Sequence, residues 1–313
     1  MESVDVRRRR RRPRDSGRAG QVDENGGSAL NLKPVPRVSR GEFRPARLAG
    51  LPRVVVDNVS GWQAVKNWNS AYLKSVAGHR EVAVRETNGP PSNIFQNLAR
   101  GGRTSFGDYL DWVVETAHDL RPVTERHADV GAITKAVAAS GFEDSYYLDA
   151  KLSQLSERLA ADAPAPDWFR ASPVDTNLWC GVLGTSSGLH CDVTPNCNVQ
   201  VIGRKHFVLF PPSQSRLVYR IPRITHCRFD PNVPDFDRFP LARRASGWQC
   251  TLRPGESLYI PVGWYHQVTV VTPWALNVNF FWPRPFPQGI MTPSLWRFLL
   301  RRGSARMRRL LRG

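Results

Sequence analysis

The sequence predicts a mainly β fold with flanking helices: a double-sheet jelly roll, preceded by an α/β part and followed by short helices. Three observations carry this. Residues 177–282 hold about eight short strand-like runs with turn signals between them, the count and spacing of a jelly roll. Residues 42–120 instead alternate short strands with apolar residues at helical spacing. The 313-residue chain is 41% hydrophobic, enough for a sizeable core. No run approaches the ~20 apolar residues that span a membrane.

Residues 1–40 are poor in apolar side chains and rich in Arg, Gly and Pro, so they are expected to form a disordered basic tail. The block Arg7 to Arg12 repels itself and cannot form a stable element. It reads as a solubilising arm or as a site for an acidic partner. It is not followed by an apolar stretch, so it does not read as a signal peptide.

One domain is expected over residues 41–282, with an N-terminal α/β part at 41–170. There PRVVVDNV reads as a β-branched strand after Pro52. GWQAVKNWNSAYLKSVAG sets Trp62, Val65, Trp68, Leu73 and Val76 at near-helical spacing. EVAVRE is another strand. SFGDYLDWVVETA is a helix with Phe106, Tyr109, Leu110 and Val113 on one face. Residues 118–140 are harder to place and read as an insertion next to the active-site mouth. Their His118 and His127 are either pocket residues or ordinary exposed histidines. Residues 147–159 read as a strand end and a helix, stopped by Pro164 and Pro166.

The jelly-roll core is expected at residues 171–282. Inside it, residues 213–247 form a long connection with Pro222, Pro231, Pro234 and Pro240. Loops of that length in a compact domain are usually functional. Arg223, His226 and Arg228 are its candidate substrate contacts, against a reading as plain loop charges. Residues 283–313 give a Pro-rich hinge and two short amphipathic helices with arginine faces. Leu295, Phe298 and Leu299 line the first, and Met307, Leu310 and Leu311 the second. Three readings compete for these helices: pairing two copies in a homodimer, packing back on the chain's own N-terminal part, or lying on an anionic membrane.

The net charge of +17 raises the question of nucleic acid, but its distribution answers against it. Residues 1–40 carry 11 basic and 5 acidic side chains, and residues 284–313 carry 8 basic and none acidic. The body between them holds 25 basic and 22 acidic and is nearly balanced. Five cysteines without a CxxC or a paired framework read as a reducing, cytoplasmic setting.

The chemistry centres on His190-Cys191-Asp192. In a strand, residues two apart share a face, so His190 and Asp192 reach one ion while Cys191 points away. His266, in GESLYIPVGWYHQV, offers a third ligand. Two imidazoles and one carboxylate with the remaining positions open suit non-haem Fe(II). HxD alone arises by chance, as a surface histidine beside a solvated aspartate. Here, however, strand-like runs flank it. Lys205, inside the strand KHFVLF, is costly to bury without an anion, and a dicarboxylate ligand supplies one.

On these residues the chain resembles the cupin-like JmjC group of Fe(II)/2-oxoglutarate oxygenases, relatives of the hypoxia-inducible-factor asparaginyl hydroxylase. The resemblance runs over residues 42–282 and is carried by NLWCGVLGTSSGLHCD, VIGRKHFVLFPP, LRPGESLYIPVGWYHQV and LNVNFFW. It implies that His190, Asp192 and His266 hold Fe(II), and that Lys205 and Ser187 grip the far carboxylate of 2-oxoglutarate. Asn196 and Asn279 fall at polar positions of the co-substrate pocket. Tyr147 falls at a tyrosine that reaches 2-oxoglutarate, with Tyr146 as its rival. Gly188-Leu189 and Cys191 depart from the family pattern and bear on the shape of the substrate pocket.

The implied activity is O2-dependent hydroxylation of an unactivated C–H bond, with succinate and CO2 as co-products. β-Hydroxylation of a side chain in a peptide or protein, peptide natural products included, is the leading expectation. A free amino acid or small metabolite is the alternative substrate. A non-catalytic ligand- or partner-binding cupin and a Zn- or Mn-dependent cupin isomerase are the alternatives of other classes.

Overall fold

The computed structural model describes residues 30–45, 50–88, 101–140, 144–168 and 172–283. The two C-terminal helices and most of the N-terminal tail expected from the sequence lie outside the described residues. The chain begins with short strands β1 (Asn31–Pro34), β2 (Arg37–Val38) and β3 (Arg53–Val55), then helices α1 (Gln63–Asn67) and α2 (Ser70–Ala77). Strands β4 (Glu81–Asn88) and β5 (Gly101–Ser105) lead into α3 (Phe106–Arg126) and α4 (Val130–Ala139). Strand β6 (Asp144–Lys151) and helices α5 (Leu152–Leu155) and α6 (Glu157–Asp162) close this part.

Eight strands then build the jelly roll: β7 (Asp175–Val182), β8 (His190–Cys191), β9 (Asn196–Ile202), β10 (Lys205–Phe210), β11 (Ser246–Leu252), β12 (Ser257–Ile260), β13 (Tyr265–Val270) and β14 (Trp274–Phe281). They divide four and four between two sheets. One has the order β1-β11-β10-β13-β8. The other runs β2-β3-β12-β9-β14-β7-β6-β4-β5, so the N-terminal strands extend the barrel's larger sheet.

Alternation along the larger sheet decides what faces where. On β9, Cys197, Val199 and Val201 join the outer core, with Leu276, Val278 and Phe280 of β14. The residues between them, Asn196, Asn198, Asn277 and Asn279, point into the barrel and line its cavity. Helix α3 covers the apolar face through Phe106, Tyr109, Leu110, Trp112 and Val113. Each such burial contributes about 1.5–3 kcal/mol relative to exposure. Its first turn is fixed by Ser105, whose Oγ accepts from the Asp108 amide at 3.0 Å and donates to its carboxylate at 2.7 Å. The single helix expected near Trp62 is two, because Asn69 caps a second start by accepting from the Tyr72 amide at 2.9 Å.

Two expectations are corrected. Residues 31–38 belong to the sheets rather than to a disordered tail: β1 pairs in parallel with β11, and β2 with β3. Backbone ladder bonds order this segment, and its composition carries no sign of them. Residues 118–140 are the end of α3 and helix α4, and they do not sit at the mouth of the metal cavity. They lie against the turns at the other end of the barrel, sharing a cavity with Arg204, Arg253 and Thr272.

The long connection is ordered. Its Val218, Phe229, Phe236 and Phe239 form a satellite core with Leu189, just before β8, and with Phe210 and Tyr265 of the smaller sheet. Among the described residues no helix is long and apolar enough to cross a membrane.

Candidate metal centre

The open end of the barrel gathers the three residues read from HxD and the distant histidine. His190 and His266 are cross-strand partners on β8 and β13, and Asp192 follows β8 directly. Ligand atoms of His190, Asp192 and His266 all lie within 4.8 Å of one another. His190 Nε2 is 3.9 Å from one Asp192 oxygen, and His266 Nε2 is 3.6 Å from the other.

Each imidazole is oriented from behind. Nδ1 of His190 lies 3.0 Å from the Gly188 carbonyl, and Nδ1 of His266 lies 3.1 Å from the Trp264 carbonyl. A carbonyl only accepts, so both Nδ1 atoms carry the proton and both Nε2 lone pairs face the centre. Burial, and then the neighbouring His266, push the His190 pKa down, which keeps it neutral as a ligand must be. Asn196 Nδ2 donates to Asp192 Oδ2 at 2.6 Å and fixes the carboxylate.

A cavity of about 240 Å³ opens from this cluster into the barrel. Tyr147, Ser187, Asn196 and Asn279 line it with the three clustered residues, so every pocket residue implied by the resemblance except Lys205 is on its wall. Lys205 sits just behind that wall and is 0% exposed. Its Nζ donates to the Trp179 carbonyl at 3.2 Å and to Asn277 Oδ1, and lies 5.5 Å from the centre of the Tyr147 ring. No carboxylate pairs with it among the described residues. Burial pulls its pKa from 10.5 down to about 7.

The geometry separates the two tyrosines. Tyr147 lies over Trp179 at 5.5 Å in the cavity, whereas Tyr146 packs on Trp112 in the outer core. Gly181 permits this, since a Cβ there would come within 2.8 Å of the Tyr147 ring. The Ser187 hydroxyl is engaged with the backbone, donating to the Gly188 carbonyl at 3.0 Å and accepting from the Val268 amide at 3.1 Å.

Of the flagged loop residues, His226 is in the cavity and Arg223 and Arg228 are exposed outside it. His226 forms an isolated bridge opposite His190, and the two rings stack at 5.5 Å. Sequence reasoning missed Trp179, Asn198, Asn277 and Thr225. Two of these were within reach, because Asn198 and Asn277 stand two residues from Asn196 and Asn279 and must share their faces.

Those amides form a head-to-tail chain. Lys205 donates to Asn277, Asn277 to Asn198 at 3.2 Å, Asn198 to Asn196 at 2.7 Å, and Asn196 to Asp192. Every donor points from the buried cation toward the carboxylate.

A family model described as a cupin-like domain matches residues 40–288. Lysine-specific demethylase 8 of Xenopus tropicalis is 28% identical over 77% of this chain and 50% of its own length, so the chain spans about half of that relative. The tRNA wybutosine-synthesizing protein 5 of Mus musculus is 26% identical, covering 80% of this chain and 78% of that protein. The bifunctional peptidase and (3S)-lysyl hydroxylase JMJD7 of Homo sapiens is 25% identical over 74% of this chain and 77% of its own. With a jelly-roll barrel, a His/Asp/His cluster at its open end and a family model covering most of its length, the chain belongs to the cupin-like domain family of JmjC type.

Proposed function

We propose that the chain is an Fe(II)/2-oxoglutarate-dependent dioxygenase that hydroxylates an unactivated C–H bond, most directly a side chain of a peptide or protein. One observation carries this reading: a His/Asp/His cluster lines a barrel cavity, and a buried lysine with no carboxylate partner among the described residues lies just behind its wall. The donor set fits the ion. Two Nε2 atoms and a carboxylate would suit Fe(II) and would leave coordination positions open for exogenous ligands. When bound, Fe(II) with 2-oxoglutarate and O2 supplies the oxidising chemistry, with succinate and CO2 as co-products.

The residues divide the remaining work. His190, Asp192 and His266 hold the metal, and Asn196 keeps the Asp192 carboxylate turned toward it. Lys205 provides the charge for the far carboxylate of 2-oxoglutarate. Tyr147, Asn279 and Ser187 shape the pocket between. Trp179, Val268 and Phe281 exclude water from it. No side-chain general base is required.

The hydroxylase named among the relatives supports a peptide or protein substrate, and the nearly balanced body charge stands against nucleic acid. Incubation of the Fe(II)-loaded protein with 2-oxoglutarate and a peptide library, read by mass spectrometry, tests the reaction. A gain of one oxygen atom on one peptide, with matched succinate, is the expected result. Oxidation confined to a free amino acid or small metabolite would move the substrate to that class. No succinate under any condition would favour a ligand-binding cupin.

A further inference from the structure

The segment that the sequence left unassigned, residues 118–140, walls a second cavity. It lies at the end of the barrel away from the metal cluster. Strand β13 starts beside the cluster at Tyr265 and His266, and the cavity is lined by Val271, Thr272 and Pro273 just past its other end. Five residue steps along the strand take His266 to Val271, roughly 16 Å at ~3.3 Å per residue. At about 700 Å³ this cavity is larger than the metal cavity.

Its charge is one-sided. Arg37 comes from β2, Arg204 from the β9–β10 turn and Arg253 from the β11–β12 turn, and all three line it. His127, at the C-terminal cap of α3, faces them with Ala128 and Val130. Glu256 is the single carboxylate on the wall, and it is already engaged: Oε1 pairs with Arg37, and Oε2 accepts from the Arg253 amide at 2.9 Å. The guanidinium groups of Arg204 and Arg253 have no carboxylate partner among the described residues. Asp129, next to the wall, turns its carboxylate to the Ala132 amide at 2.9 Å as the cap of α4. Three arginines to one carboxylate is a local excess, since the body of the chain holds 25 basic to 22 acidic side chains.

We propose that this cavity is a second ligand site, for a small polyanion carrying at least two phosphate or carboxylate groups, held by Arg204 and Arg253 with Arg37 as the third contact. The planar guanidinium fork matches both kinds of group in bidentate fashion, and two forks from separate turns select a ligand with two anionic ends. The wall has no Phe, Tyr or Trp to stack a base, and its one ring is the imidazole of His127. That favours a polyphosphate or polycarboxylate metabolite over a nucleotide read through its base. The site uses none of the residues assigned to the metal cavity, so it stands or falls apart from the oxygenase reading.

The test is isothermal titration of the full chain with pyrophosphate and, separately, citrate. Wild-type protein should bind at least one of them saturably, and their ratio identifies phosphate or carboxylate as the recognised group. Arg204→Gln/Arg253→Gln should weaken binding at least tenfold. A charge-matched control outside the cavity lining, Arg103→Gln/Arg228→Gln, should stay within twofold of wild type. Both exchanged pairs are exposed side chains, and a thermal melt confirms folding. Arg204→Lys/Arg253→Lys should recover only part of the affinity, because it keeps charge and loses the fork. Equal weakening in the two glutamine variants would reduce the effect to net charge and overturn the site. So would the absence of saturable binding of either anion.

Discussion

At the scale of single residues, Lys205 is the most demanding feature of the interior. Its folded pKa of about 7 lies below its ordinary 10.5. Below pH 7 folded and unfolded chains both carry the proton, and the full cost of burying the cation is present. Between pH 7 and 10.5 the unfolded chain binds the extra proton, so stability rises with pH. Urea midpoints of the ligand-free protein should therefore increase from pH 7 to pH 9, and Lys205→Met should flatten that increase. An unchanged slope in the variant would contradict the assignment. By the same linkage, 2-oxoglutarate should bind with proton uptake above pH 7. Its affinity should fall toward tenfold per pH unit, which calorimetry in buffers of different ionisation enthalpy measures. Asn196 offers a second residue-scale test. Asn196→Ala frees the Asp192 carboxylate and should weaken Co(II) binding about 10- to 100-fold, the usual effect of losing a metal-orienting partner. The sequence made the cluster legible because strand periodicity ties His190 to Asp192. It left Tyr146 and Tyr147 unresolved, since adjacent residues on one strand differ only in which face the sheet buries.

At the scale of elements, β9 and β14 show how one sheet serves two interiors. Their apolar residues join the outer core, and their asparagines carry the amide chain from Lys205 to Asp192. Asn198 stands in the middle, accepting from Asn277 and donating to Asn196. Asn198→Ala removes the donor to Asn196 Oδ1, whereas Asn277 Nδ2 keeps Asn279 Oδ1, and an orphaned buried polar group costs about 1–3 kcal/mol. The expected loss in urea denaturation is at least that of one group, and a change within 0.5 kcal/mol (about the scatter of surface substitutions) would mean that the chain is not formed. The β9–β10 turn is equally constrained. Gly203 has φ +66°, and a Cβ there would meet the Trp274 carbonyl oxygen. Gly203→Ala should destabilise by more than ~1 kcal/mol and lower the melting temperature accordingly. The eight-strand barrel was readable from turn signals and apolar runs. The ordering of residues 31–38 was not, because edge pairing engages backbone groups that leave no pattern in side chains. Residues 118–140 were assigned to the wrong end of the barrel for a related reason. The sequence marked no element there, and only sheet connectivity says which turns the segment meets.

At the scale of the molecule, the barrel sets two ends apart. One holds the His/Asp/His cluster, the buried Lys205 lies deeper in the barrel opposite Val270, and the other end holds a basic cavity roofed by α3 and α4. Metal binding at the first end should stabilise the whole fold by linkage, about 2.7 kcal/mol at a hundredfold excess of ion over its dissociation constant. Thermal melts with and without Co(II) check this, and Asp192→Ala should remove the shift. The most direct measurement of the central claim needs no substrate. Anaerobic titration of Fe(II)-loaded protein with 2-oxoglutarate should produce the visible charge-transfer band of a keto acid chelated to Fe(II). The band should be absent in His266→Ala, and in Lys205→Met it should demand about 10- to 100-fold more 2-oxoglutarate, the worth of a charge-assisted hydrogen bond at ~1.5–3 kcal/mol. No band in the wild-type protein, or one that forms with equal affinity in Lys205→Met, would contradict the account.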